Sequence, residues 1–138
     1  MHSGVAHVVP GDITRFARWF RDSAPRRRPG PEQAASTAQV VGFAYALAHD
    51  GFEQRLGVGA INALRTPHPV VEGDTLYAMS QIAKIEPLND EIGALRVRTF
   101  LLKNRDPSQG EIPEITDGNK YHPWVALDMD AWELVPRP

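Results

Sequence analysis

The chain has 138 residues, of which 42% are apolar and 23% charged, a size and balance that suit one ordinary domain and leave too little for two. It contains no cysteine, which excludes disulfides and thiolate metal sites, and no run of about 18 apolar residues that would span a membrane. The net charge of −2 is uneven: residues 1–40 carry six arginines against three acids, and residues 41–138 carry nine bases against fourteen acids. One arginine cluster in a loop falls short of a nucleic-acid-binding face, so no nucleic-acid partner is expected. The first residues lack the continuous apolar stretch of a signal peptide, and the cytoplasm is the expected location.

Residues 1–11 read as a loose lead-in or edge strand, with Val5, Val8 and Val9 as its apolar content. Asp12 is the predicted N-cap of a short helix, because its carboxylate can accept from the free amides of a first turn. Ile13, Phe16, Ala17 and Phe20 then recur at helical spacing and predict one apolar face, with Arg15, Arg18 and Arg21 largely off it. Residues 23–31 hold three prolines, a glycine and three arginines, which predicts a mobile loop. Thr37 to His49 predicts a different helix. Almost every residue from Ala38 to Ala48 is apolar, so this helix should be buried on most sides, with Gly51 as its stop.

Thr66 to Ser80 reads TPHPVVEGDTLYAMS: a proline-bracketed approach, a Glu-Gly-Asp turn, and the start of a long strand. Three segments alternate with period two: Thr75 to Glu86, Ile92 to Lys103 and Trp124 to Val135. In the first, Thr75, Tyr77, Met79, Ala83 and Ile85 share one face, and in the second, Leu95, Val97, Thr99 and Leu101 oppose Arg96 and Arg98. In the third, Val125, Leu127, Met129 and Ala131 oppose Asp128 and Asp130, which are expected to face solvent. Each segment predicts a half-buried antiparallel strand with one wet face. At about 3.3 Å per residue such strands reach roughly 40 Å and must curl, and the buried helix is what they would curl around. Asn89-Asp90 supplies a turn, and the connection from Asn104 to Pro123 is long enough to serve as a lid or interface element. Trp124 and Trp132 read as packing or interface residues. The expected class is α+β, one domain over residues 1–138, with a long antiparallel sheet wrapped around a single buried central helix.

Four segments in order carry a family resemblance: GAIN at Gly59 to Asn62, PVVEGDTLYAMS, GALRVRTFLLKNRD at Gly93 to Asp106, and the closing VALDMDAWELVPRP. Together they resemble the MaoC-like hotdog hydratases, and most closely the C-terminal half of mesaconyl-CoA (2-methylfumaryl-CoA) hydratases. The resemblance covers Val41 to Pro138 well and Pro10 to Gln39 less well. It implies a hotdog fold, an acyl-CoA thioester as substrate or ligand with no further cofactor and no metal, and a homodimer or heterodimer with another hotdog domain. The implied chemistry is that of a hydro-lyase, in which water adds to or leaves a C=C bond conjugated to a thioester. That needs a general acid and base, with amide donors for the thioester oxygen.

The family supplies the acid and base in a D-x-N-P-x-H motif just before the buried helix. Here the alignment puts Asp22 at the Asp and Pro25 at the Pro, but Ala24 at the Asn and Arg27 at the His. An arginine stays protonated and cannot take a proton from water at neutral pH, so the usual dyad is incomplete. The candidate catalytic residues are therefore Asp22 and His49, the latter followed by Asp50, with a helix-capping role as the alternative for His49. Gly42 and Phe43 are candidate amide donors near the thioester oxygen, or else close-packing positions. His68, set between two prolines, faces an acyl pocket or solvent, and His122 is similar. Arg27, with Arg26 and Arg28, meets the phosphates of coenzyme A or forms a solvated loop run. The leading function is an enoyl-CoA hydratase or dehydratase acting on a small or dicarboxylic acyl group. The alternatives are a non-catalytic hotdog subunit completing a partner's pocket, and an acyl-CoA thioesterase.

Overall fold

Central to the architecture is α2 (Thr37–Leu47), whose Val40, Ala44 and the following Ala48 form an apolar stripe pressed against a sheet. The structure is a computed structural model, and it describes residues 2–9, 11–22, 24–27, 30, 33–48, 53–109 and 114–138. The chain runs β1 (His2–His7), α1 (Asp12–Trp19), a 3-10 turn (Pro25–Arg27), α2, β2 (Gly57–Arg65), β3 (Thr75–Pro87), β4 (Ile92–Lys103), β5 (Thr116–Asp117), β6 (Lys120–Tyr121) and β7 (Val125–Pro136). Five strands form one antiparallel sheet in the order β1-β3-β4-β7-β2, and β5 pairs with β6 separately. Bulges in β1, β2, β3 and β7 or their partners bend the long strands, and α2 packs against β1, β3, β4 and β7. This is the expected hotdog arrangement. Among the described residues no helix is long and apolar enough to cross a membrane.

The inner face of the sheet supplies Leu76 and Ala78 from β3, Leu101 from β4, and Leu127, Met129 and Ala131 from β7, all packed under α2. The opposite face is not uniformly wet, contrary to the sequence expectation. Tyr77, Met79, Phe100, Leu102 and Val125 form a second core there, closed over by Ile115, Tyr121 and Trp124 from the long β4–β7 connection. The β4 faces were assigned correctly, but the β3 face of Thr75, Tyr77, Met79, Ala83 and Ile85 turns away from α2, and a register shift between β4 and β7 puts Val125 on that side as well. A period of two only separates the faces. It does not say what covers each one.

The same covering corrects the expectation for Asp128 and Asp130. Asp128 is only 5% exposed, taking paired hydrogen bonds from Arg98 Nε (3.0 Å) and Nη2 (2.8 Å) and another from the Tyr121 hydroxyl (2.6 Å). Asp130 pairs the same way with Arg96 and accepts from Asn62. Burial alone would raise the pKa of Asp128, but the hydrogen bonds from Arg98 and Tyr121 outweigh it and hold the carboxyl below its ordinary value. A depressed folded-state pKa contributes stability above the ordinary carboxylate pKa, and that contribution is lost as pH falls through the folded value. Tyr121→Phe is therefore expected to cost about 1–2 kcal/mol at neutral pH and less in acid, read from urea midpoints at both.

Helix α1 departs from expectation at both ends. Gly11, at φ 92°, is the N-cap, and Asp12 is the first helical residue, its carboxylate accepting from the Val9 amide at 2.9 Å. Ile13 and Ala17 are buried as predicted, but Phe20 lies beyond the helix and is 67% exposed. Strand β2 had no clear sequence signal. Its glycines and alanines blur the alternation, and as an edge strand it is exposed along most of its length.

Helix α2 is also more open than its composition predicted. Thr37, Ala38, Gly42 and Ala46 are exposed, so the sheet covers one side of the helix and leaves the other bare. A helix this apolar with an uncovered face points to something that covers it.

Candidate functional site

The site grows from the start of α2. Ser36 is extended at φ −70° and ψ 160°, and its side chain accepts from the Gln39 amide at 3.2 Å. The amides of Thr37 and Ala38 then have no intrahelical acceptor, and a helix start with free N–H groups favours partial negative charge. Ser36 with Gln39 three residues on is the S-x-x-Q capping signature, so the helix start was legible although the sequence reading did not use it.

In front of these amides lies a cavity of about 260 Å³. One wall is the 3-10 turn with Arg26 and Arg27, another is Ala34, Ala35, Thr37 and Val40, and the third is Thr66 to Val70. The walls are tied together by backbone hydrogen bonds, Ala34 N to Arg26 O at 2.7 Å and Ala35 N to Val70 O at 2.8 Å. The Glu-Gly-Asp turn anchors the third wall from behind. Gly73 takes φ 92°, and the buried Asp74 accepts from the Val71 amide and from Asn104 Nδ2, with Lys103 Nζ at 3.4 Å. Lys103 also donates to Pro69 O. That is why this turn precedes a strand beside a pocket: it clamps the proline-bracketed segment into place.

The predicted site residues divide into those the cavity gathers and those it does not. Arg27 and His68 both line it. Arg27 Nη1 donates to Ala34 O at 2.8 Å, and its Nε lies 3.0 Å from Asp22. Asp22 accepts also from the Ala24 amide, and this hydrogen bond, followed by that of Arg27, lowers its pKa. Asp22 is therefore ionised at neutral pH, and it touches the lining residue Arg27 without lining the cavity itself. His68 Nε2 lies 3.4 Å from the Tyr121 carbonyl, which can only accept, so the contact requires the proton on Nε2, and in the neutral ring Nδ1 is then the nitrogen able to accept.

Gly42 and Phe43 lie in the second turn of α2, Gly42 exposed and Phe43 packed on the core, and neither lines the cavity. Amides at that depth belong to the helix ladder, and the free ones sit a turn earlier, at Thr37 and Ala38. His49 and Asp50 lie outside the described residues, as do Gly51 and Arg28. His122 stacks on Trp124 with ring centroids 4.9 Å apart, and the Arg105 guanidinium lies over the same indole, 4.8 Å from its centroid. Among the described residues no group of three or more His, Asp or Glu side chains is placed to hold a metal ion.

A polar cluster elsewhere was missed by the sequence reading. Glu133, 2% exposed on the inner face of β7, lies 3.3 Å from Arg55 Nη1. Arg55 in turn lies over the ring of Tyr45, whose hydroxyl is buried without a hydrogen-bond partner among the described residues. Residues 55, 45 and 133 are too far apart in sequence for any spacing rule to join them.

No protein-family profile matches the chain. A beta-methylmalyl-CoA dehydratase from Chloroflexus aurantiacus is 41% identical over 100 residues, covering 71% of this chain and 28% of that protein. A mesaconyl-CoA hydratase from Cereibacter sphaeroides is 34% identical over 113 residues, covering 80% of this chain and 32% of that protein. The chain thus spans about a third of the length of the curated relatives it matches. Among solved structures, a protein from Chloroflexus aurantiacus assigned as a MaoC-domain dehydratase superposes with a TM-score of 0.87 at 28% identity, over 98% of this chain and 41% of that one. The MaoC-like dehydratase from Rhodospirillum rubrum shares the fold at a TM-score of 0.72 and 19% identity, over 99% of this chain and 90% of that one. The chain belongs to the MaoC-like hotdog hydratase family.

Proposed function

We propose that this chain is the substrate-binding hotdog domain of an enoyl-CoA hydratase or dehydratase, acting on a short acyl thioester of coenzyme A in the cytoplasm. The observation that carries the reading is the cavity at the free-amide end of α2, which has His68 in its wall. Its volume of about 260 Å³ suits a small or dicarboxylic acyl group better than a long chain. The thioester oxygen would sit at the Thr37 and Ala38 amides, where negative charge develops as water adds to the β-carbon. His68, with its proton held on Nε2 by Tyr121 O, offers Nδ1 to take the proton from that water. The electron pair moves through the former C=C bond to the thioester oxygen, and a proton then returns to the α-carbon. General acid–base chemistry of this kind needs no cofactor beyond the coenzyme A of the substrate.

The partner is a second hotdog domain. Among the described residues edge strand β2 pairs only with β7, and it leaves Val58 and Ile61 exposed next to Leu56. The bare side of α2, with Ala38, Gly42 and Ala46, is a second uncovered apolar surface. A matching unit that adds a strand at β2 would cover the open edge and bring a helix to α2. Ile61→Lys is expected to convert a paired assembly into single chains in light scattering. A wild-type chain that is monomeric at micromolar concentration and stays so with candidate hotdog partners would refute the pairing.

One observation favours a second reading. The Asp22 carboxylate is occupied by Arg27 and the Ala24 amide, so the position that the family motif gives to a catalytic acid is held in an ion pair. In that reading the chain completes a pocket whose acid and base come from the partner domain. The decisive assay follows loss of enoyl absorbance with crotonyl-CoA and mesaconyl-CoA. Turnover by the chain, abolished in His68→Gln, supports the first reading. Turnover only with a partner and unaffected by His68→Gln supports the second. No turnover in either form rules out both.

A further inference from the structure

Helix α1 carries a feature that the acyl cavity does not use. Trp19 is 75% exposed at its end, an unusual position for an indole with no ring or hydrogen-bond partner among the described residues, and Arg15 and Arg18 lie beside it. Neither guanidinium makes a hydrogen bond or ion pair among the described residues. Other arginines are engaged: Arg55, Arg96 and Arg98 each hold a carboxylate, Arg105 lies over Trp124, and Arg137 donates to Asn89 O. Arg15 and Arg18 thus stand unpaired among the described residues on one helix, beside its exposed indole. Thr14, Arg15, Arg18 and Trp19, with Gly11, line a groove of about 530 Å³.

The groove adjoins the acyl cavity. Gln33 Nε2 donates to Thr14 Oγ1 at 2.8 Å and to Arg27 O at 3.0 Å, so residues from the two linings meet on a single amide group. We infer that the groove of Thr14, Arg15, Arg18 and Trp19 is a subsite for the phosphorylated adenosine end of the coenzyme A ester whose acyl group enters the cavity beside Arg27. This rests on the function proposed above. The chemistry matches part by part. An exposed indole offers a face for adenine to stack on. The two guanidinium groups offer planar forks for the phosphates, where a lysine would offer only a point charge. The adjacency lets one ligand occupy both sites, with its apolar end at α2 and its anionic end at α1. Because the groove is open to solvent, its hold on the phosphates should weaken with added salt.

The test uses adenosine 3′,5′-bisphosphate, which carries the nucleotide end and no acyl group, titrated calorimetrically into the protein in its native assembly. Saturable binding is expected. Arg15→Gln and Arg18→Gln should each weaken it roughly tenfold or more, the scale of one lost charge-assisted contact. Trp19→Ala should weaken it comparably, and all three lie on the surface, where substitution leaves stability nearly unchanged. Arg27→Gln, in the other cavity, should leave it unaltered. Kinetically, the α1 variants should raise KM for the acyl-CoA without changing kcat, and leave the same acyl group on N-acetylcysteamine untouched. Absence of saturable binding, or binding indifferent to Arg15, Arg18 and Trp19, overturns the subsite even if acyl-N-acetylcysteamine is turned over. It would leave this face to an acidic protein surface. Binding that behaves as expected while no thioester reacts would sustain the subsite and remove the catalytic reading instead.

Discussion

Arg55→Ala is expected to destabilise the fold by roughly 3–5 kcal/mol, the usual consequence of leaving one member of a buried ion pair behind. The residue left behind is Glu133, 2% exposed beneath α2, where water cannot replace the guanidinium. Burial raises the pKa of Glu133 above its ordinary value, and Arg55 opposes that rise by charge and hydrogen bonding. A carboxyl whose folded-state pKa is raised binds its proton more tightly in the native state. Its contribution to stability is fully present below the ordinary carboxylate pKa and is lost as pH rises through the folded value. Removing Arg55 deletes the opposing effect, so the loss in Arg55→Ala should be small in acid and grow towards neutrality. Adding Glu133→Gln removes the charge itself and should restore much of the stability at neutral pH. Urea midpoints across a pH series for the three proteins check this. An Arg55→Ala loss that is the same at every pH, with no rescue by Glu133→Gln, would show that packing over Tyr45 is what matters.

His68→Gln is expected to lower kcat by about 10²–10⁴-fold with little change in KM, measured in the assembly that gives wild-type turnover. The glutamine amide can still donate to the Tyr121 carbonyl, so the loop should keep its place while losing a group able to accept and release a proton. His68→Ala should be equally slow, and thermal melts should barely distinguish the variants from wild type. A rate within twofold of wild type for His68→Gln would exclude the histidine as base and transfer that role to the partner domain.

Much of the fold was legible because it rests on local regularities. The β4 segment was delimited at Ile92 and Lys103 in the sequence, as in the structure, and β3 and β7 differ by a residue at their ends. Period-two alternation survives wherever one face meets the helix. The Asn89-Asp90 turn was visible too, and Asn89 Oδ1 indeed accepts from the Glu91 and Ile92 amides. Strand β2 was not visible, because Gly57, Gly59, Ala60 and Ala63 leave little contrast for a period to show. The start of α2 at Thr37 was read correctly, but its free amides were sought at Gly42 and Phe43, which lie a turn too deep.

The sequence by itself determined the family, and it carried the expectation of an incomplete motif in which Arg27 stands where the family has a histidine. These follow from residue type and order, which need no coordinates. Tertiary structure alone decided that Arg27 holds Asp22, that His68 shares its cavity, and that the TPHPVVEGDT segment is clamped by Asp74, Lys103 and Asn104 into a pocket wall. It also decided that Asp128 is buried and that Glu133, Arg55 and Tyr45 meet. The physical reason is common to all of these. Periodicity encodes which side of an element a residue takes, whereas charge pairing, desolvation and proton placement depend on what another part of the chain brings within a few ångströms of it.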